Sequence, residues 1–211
     1  MKSRGVLIVL SGFSGAGKGT LVKRLMSDYD NYALSVSMTT RAPRPGEEHG
    51  REYFFVTKEE FEAKIAQDGL LEYANYVGNY YGTPKAYVEE QLAAGKDVIL
   101  EIEIQGALQI KERFPEALLL FVSAPSADVL RERLVGRATE TADVIEKRLC
   151  RAAEESEGIE KYEYLIINDD LDECVRHTHA TIQCAKWSAD RNIDFIEKMR
   201  QELNDISKGE K

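Results

Sequence analysis

The run Val6-Leu7-Ile8-Val9-Leu10-Ser11-Gly12-Phe13-Ser14-Gly15-Ala16-Gly17-Lys18-Gly19-Thr20 constrains this chain more than any other stretch. Its first five residues are apolar and mostly β-branched, which reads as a strand covered on both faces. A glycine-rich turn follows, and then Leu21, Val22, Leu25 and Met26 return at helical spacing. Strand, glycine turn and helix in that order are what a phosphate-binding loop requires. Glycines at 12, 15 and 17 let the backbone curl until successive N–H groups face an anion. The helix adds its unpaired N–H groups and the positive end of its dipole, and Lys18 adds a mobile cation for the β- and γ-phosphates. The residues expected to wrap the phosphates of a nucleoside triphosphate are Gly12, Phe13, Ser14, Gly15, Ala16, Gly17, Lys18, Gly19 and Thr20. An ordinary strand-to-helix turn can hold a lysine, but it has no need of three glycines in front of it. The strict motif continues with a serine or threonine whose hydroxyl touches magnesium. Here Gly19 holds that place and Thr20 comes one residue later.

A chain of 211 residues, 43% hydrophobic and 31% charged, suits one α/β domain with insertions. No apolar run approaches the roughly 20 residues that span a bilayer. Met1-Lys2-Ser3-Arg4 leads straight into the first strand, with no room for a signal peptide. Cys150, Cys174 and Cys184 are too few and too scattered for a disulfide framework, so a cytoplasmic location is expected. The net charge of −9 argues against general binding to nucleic acid or to a membrane surface. An anionic substrate must then be held by a local cluster of positive groups.

Along the chain, strand signals fall at 6–10, 35–38, 98–103, 117–122 and 164–167, separated by helical patterns. That alternation predicts an α/β fold, a doubly wound parallel five-stranded core sheet. Between about 39 and 90 the alternation breaks. Tyr53–Val56 reads as a short strand, Thr57 and Glu60 as a capping box, and 70–82 as a strand pair turning at Gly78-Asn79, with Thr83-Pro84 opening a further helix. These residues are expected to form an inserted substrate domain. Ser126 should cap a helix, Gly136–Asp143 carries no apolar run, and about 135–155 is expected to be a helical lid. The core is then 4–38, 91–134 and 156–185, and 186–211 is a helical tail whose Trp187 suits packing or a homo-oligomer contact.

The positive cluster is Arg41 and Arg44, on the proline-stiffened loop Arg41-Ala42-Pro43-Arg44-Pro45-Gly46, with Ser37 before it and Tyr53 and Tyr81 beyond. Two guanidiniums and three hydroxyls suit a dianionic phosphate. Two loop arginines alone are as easily solvated surface.

The Gly-Lys-Gly-Thr ending of the first loop resembles the nucleoside monophosphate kinases. Ser37-Met38-Thr39-Thr40-Arg41-Ala42-Pro43-Arg44-Pro45-Gly46-Glu47, Gly50-Arg51-Glu52-Tyr53-Phe54-Phe55-Val56, Gly78-Asn79-Tyr80-Tyr81-Gly82-Thr83, Glu101-Ile102-Glu103-Ile104-Gln105-Gly106 and Asn168-Asp169-Asp170 together resemble the guanylate kinases, over about residues 4–185. The resemblance implies a P-loop NTPase-type core with an inserted GMP-binding domain and a lid, and phosphoryl transfer from ATP to GMP with magnesium. It puts Ser37, Arg41, Arg44, Tyr53 and Tyr81 on the phosphate of GMP and Glu72, Thr83 and Glu103 on the guanine, with Gly82 also among the GMP-binding residues. Guanine offers N–H donors at N1 and N2 and an acceptor at O6, which a carboxylate and a hydroxyl complement. Many relatives carry aspartate where Glu103 stands. Glu101 is placed like the acidic residue near magnesium, with Thr20 as a second oxygen donor. Lys18, Arg44, Arg137 and Arg148 match the catalytic cations, Arg133 is a further candidate, and Ala138 stands where relatives often have glycine.

No side chain is needed as a base, because a phosphate monoester with a second pKa of about 6 is already mostly dianionic near neutral pH. The set Cys174, His177, His179 and Cys184 resembles metal ligands, but on a helix at about 100° per residue they cannot all converge. Two rivals remain at this stage: a kinase of another monophosphate, which Glu72 and Thr83 disfavour, and a catalytically inactive guanylate-kinase-like protein-interaction module. Such modules typically lack an intact phosphate loop or the lid arginines, and Lys18, Arg137 and Arg148 are all present.

Overall fold

A computed structural model describes residues 4–76, 78–136 and 142–208. Strand β1 (Leu7–Gly12) leads through the glycine loop into α1 (Lys18–Asp28), and β2 (Tyr32–Leu34) follows. A second group comes next: β3 (Met38–Thr39), β4 (Phe54–Phe55), α2 (Lys58–Ala66), β5 (Leu70–Tyr76), β6 (Asn79–Pro84) and α3 (Lys85–Ala93). The chain then runs through β7 (Asp97–Glu101), α4 (Ile104–Arg113), β8 (Leu118–Ser123), α5 (Ala127–Val135), α6 (Ala142–Ser156), β9 (Tyr164–Ile167), α7 (Leu171–Ala185) and α8 (Ile193–Lys208).

Five strands form the core sheet in the order β2-β7-β1-β8-β9, and every neighbouring pair is parallel. β1 is central because its side chains are apolar in both directions. Ile8 and Leu10 face Leu21, Val22 and Leu25 of α1 together with Val175 and Ile182 of α7. Leu7 and Val9 face Val88 and Leu92 of α3 and Ala107 and Ile110 of α4. A strand alternates its side chains between two faces, so this one stretch seeds both layers of the core. The loop at its end is thereby fixed to the most buried part of the molecule.

The second sheet, ordered β4-β3-β6-β5, is built from residues 38–84. α2 closes it, with Phe61 stacked on Tyr80 at 5.1 Å between ring centroids. The capping box is present: the Thr57 side chain accepts from Glu60 N, and the Glu60 carboxylate accepts from Thr57 N. Ser126 likewise accepts from Val129 N at the start of α5.

The expected core strand at 35–38 is corrected. The edge strand is Tyr32–Leu34, and the ladder ends where Ser35 N donates to Ile99 O at 3.0 Å. Residues 35–37 cross from one sheet to the other, and Met38 starts the second. An edge strand needs only a few residues to pair, and buried Tyr32 and Ala33 supply its apolar contacts. Pro84 also ends β6 rather than lying within α3, whose first residue is Lys85.

On α7, Cys174 is buried while His177 and Cys184 are exposed. The His179 ring stacks on Tyr29, with centroids 3.6 Å apart, and its Nδ1 is 2.8 Å from the Tyr32 hydroxyl. Among the described residues, no helix is long and apolar enough to cross a membrane.

Candidate active site

The phosphate loop sits between β1 and α1 at the carboxyl end of the central strand, where open parallel sheets bind ligands. Its curl needs glycine where φ is positive and space is short. A Cβ on Gly17, at φ 91°, would stand 2.4 Å from Asn168 Nδ2, and one on Gly12 would stand 2.1 Å from Val122 O. Lys18 folds back over the loop, its Nζ donating to Gly12 O at 2.6 Å and Phe13 O at 3.1 Å. Ser14 Oγ accepts from Arg148 of α6 at 2.6 Å. Thr20 lines a cavity of about 310 Å³ together with Gly15, Gly17, Arg133, Asn168, Asp169 and Leu171.

Glu101 ends β7 beside Leu10 of β1. It is open to solvent by area yet ringed by protein, and burial pushes its carboxyl above the usual range, while the charges of Lys18 and Lys23 pull it down. Its charge also reaches Tyr53, and Glu72 of the second sheet stands against Gly106 of α4, so the core sheet and the second sheet face one cleft.

Across that cleft, the loop after β3 brings Arg41, Tyr53 and Tyr81 together. The Arg41 guanidinium lies 5.3 Å from the Tyr53 ring centroid and 5.7 Å from that of Phe55. The rings of Tyr53 and Tyr81 meet edge-on at 6.0 Å. Burial raises the Tyr53 hydroxyl, Tyr81 adds to this and Arg41 opposes it. Arg44 is exposed at the tip of the same loop, and Ser37 lies at its root, its carbonyl accepting from Phe54 N at 2.8 Å.

Glu72 on β5 and Thr83 on β6 form a buried pair: Thr83 Oγ1 donates to Glu72 Oε1 at 2.6 Å, with 4% and 0% of the two residues exposed. Burial pushes the Glu72 carboxyl up, and the Thr83 hydrogen bonds work against it. Gly106 gives the carboxylate room, since a Cβ there would stand 2.8 Å from Glu72 Oε2. Gly82 packs beneath, where a Cβ would come within 2.9 Å of Phe61 and of Glu72 O. Glu103 lies beyond β7 at the N-cap of α4 and is exposed, and Arg151 Nη2 of α6 is 3.0 Å from its carboxylate. Arg137 lies outside the described residues, as does the rest of 137–141.

Two long-range contacts had little or no signal in the sequence. Buried Asn168, at the end of β9, donates from Nδ2 to Ala16 O at 2.8 Å and so ties the loop to the far side of the sheet. Arg151, beside Arg148 on α6, holds Glu103 and Glu155. Both partners are remote in sequence, and only the Asn-Asp-Asp run hinted at the first.

Fold and loop together define a P-loop phosphotransferase of the nucleotide kinase class. The guanylate kinase family model matches residues 4–185, and the chain belongs to the guanylate kinase family. It is 50% identical over 200 residues to the guanylate kinase of Halalkalibacterium halodurans, covering 95% of this chain and 97% of that one. Identity to the guanylate kinase of Latilactobacillus sakei is 47% over 200 residues, covering 94% and 98%. The crystal structure of guanylate kinase from Anaplasma phagocytophilum superposes with a TM-score of 0.73 at 33% identity, over 90% of each chain.

Proposed function

We propose that this chain transfers the γ-phosphoryl group of ATP to GMP, giving ADP and GDP, and so serves purine nucleotide metabolism and GMP recycling. The observation that carries the acceptor is the buried Glu72–Thr83 pair. A carboxylate with one hydroxyl partner is costly to bury, and guanine repays it by offering two N–H donors to the carboxylate and O6 to the hydroxyl. Thr83 then turns its proton from Glu72 to O6 as the base arrives.

The donor triphosphate lies along residues 12–20, and the acceptor phosphate is held by Ser37, Arg41, Arg44, Tyr53 and Tyr81. Catalysis is alignment and charge compensation. The acceptor oxygen is already anionic, so Lys18 and the lid arginines Arg148 and Arg137 balance charge spread over the migrating group. Glu101 and Thr20 are hard oxygen donors of the kind magnesium takes. They would hold the ion that accompanies ATP, which would supply charge shielding for the phosphates when bound.

Residues of about 39–90 act as the GMP-binding domain and 135–155 as the lid, both closing on the core. Three free cysteines suit a reducing cytoplasm. The test is a coupled assay of ADP formation with each nucleoside monophosphate in turn. GMP should exceed AMP by about 10⁴-fold or more in kcat/KM, the ratio that sites built on polar complements reach. Equal rates on the two would overturn the assignment.

A further inference from the structure

Glu47 has no part in the roles assigned above, yet its carboxylate accepts three hydrogen bonds within the acceptor loop. Its carboxylate meets Arg41 squarely, Nη1 donating to Oε2 and Nη2 to Oε1, both at 3.0 Å. The same Oε2 accepts from the backbone N of Arg44 at 2.8 Å. Glu47 N in turn donates to Arg44 O at 3.0 Å, so the side chain closes the turn that carries Arg44. Arg41 Nη1 also donates to Ala42 O at 2.8 Å. Three of the guanidinium's five N–H groups are thereby committed to the loop itself, with Tyr81 a further polar neighbour. The pair is largely enclosed, 16% and 17% exposed. Arg41 and the Arg44 N–H hold the Glu47 carboxyl below the usual range.

We propose that Glu47 is a positioning residue for the acceptor phosphate: it fixes the Arg41 fork over Tyr53 and shapes the turn bearing Arg44 before the substrate arrives. This rests on the GMP-accepting reading given above. A carboxylate standing in for an absent phosphate would be tied to the guanidinium alone and would leave when phosphate came. Glu47 is also tied to the backbone of its own turn, so it stays and keeps the Arg41 guanidinium in place for the substrate. Rigid presentation of a flexible arginine lowers the ordering cost of binding.

The experiment compares wild type, Glu47→Gln and Glu47→Ala in the coupled assay, varying GMP and ATP separately, with a thermal melt of each protein. The KM for GMP should rise about 10-fold in Glu47→Gln, which keeps an acceptor for Arg44 N, and further in Glu47→Ala. The KM for ATP should stay within about twofold and the melt of Glu47→Gln near wild type. A fall in the KM for GMP would show a competitor, and an unchanged KM a bystander. A joint rise of both KM values with a lowered melt would show a purely structural residue. Each of these overturns the proposal while wild-type GMP turnover leaves the acceptor reading standing. A wild-type enzyme with no GMP-dependent ADP formation would remove that reading and this one together.

Discussion

Glu72 is placed where folding alone would favour an apolar residue. Its carboxyl is raised chiefly by burial, and a raised carboxyl means that the folded state disfavours the ionised form. The cost is absent below the unfolded value, appears as pH rises through it, and is complete above the folded value. Glu72→Gln keeps an acceptor for Thr83 and removes the charge, so it should raise the melting temperature, more at pH 8 than at pH 5. The same change turns an N–H donor toward guanine, and kcat/KM for GMP should fall at least about 10-fold, while AMP changes little. A variant that loses both substrates by one factor would mark Glu72 as structural. Residues of this kind are legible in a sequence because type and motif travel together, as they do for Lys18, Arg41, Tyr53 and Tyr81. The ion pair made by Glu103 was less legible. Its neighbour Arg151 lies 48 positions away, and no local pattern carries such a pairing.

At the scale of elements, α6 has reach beyond its length. Arg148 and Arg151, three residues apart on one face, touch the phosphate loop at Ser14 and the start of α4 at Glu103. One helix thus reads both ends of the cleft. Arg148→Ala should act mainly on kcat, by about 10³-fold or more, the range seen for arginines that meet transferred phosphoryl groups. Ser14→Ala, which removes one hydrogen-bond partner of Arg148, should change it little. A change confined to the KM for ATP would make Arg148 a ground-state contact instead. Helices were readable from their caps, because a capping box or an N-cap serine is a local exchange of hydrogen bonds. The strand at 35–38 was misplaced for the converse reason. Alternation of Ser35, Val36, Ser37 and Met38 marks an extended chain, but which sheet an extended chain joins depends on partners 60 residues on, as when Ser35 N meets Ile99 O.

For the molecule as a whole, the two sheets, the loop and α6 enclose one cleft from separate directions. Binding both nucleotides links these parts through one pair of ligands, and closure should follow. Small-angle scattering with a bisubstrate analogue should show a smaller radius of gyration than the protein alone; an unchanged value would count against domain closure. The order of the core sheet has another consequence, in the time course of synthesis. β1 emerges first, yet its only neighbours are β7 and β8, so Ile8 must wait for Ile99 and Leu118. Until some 90 further residues have been made, this apolar strand has no native strand to pair with. Contacts so distant in sequence slow folding and leave a nascent chain open to aggregation. The strand that anchors the phosphate loop is therefore also a segment in need of protection on the ribosome.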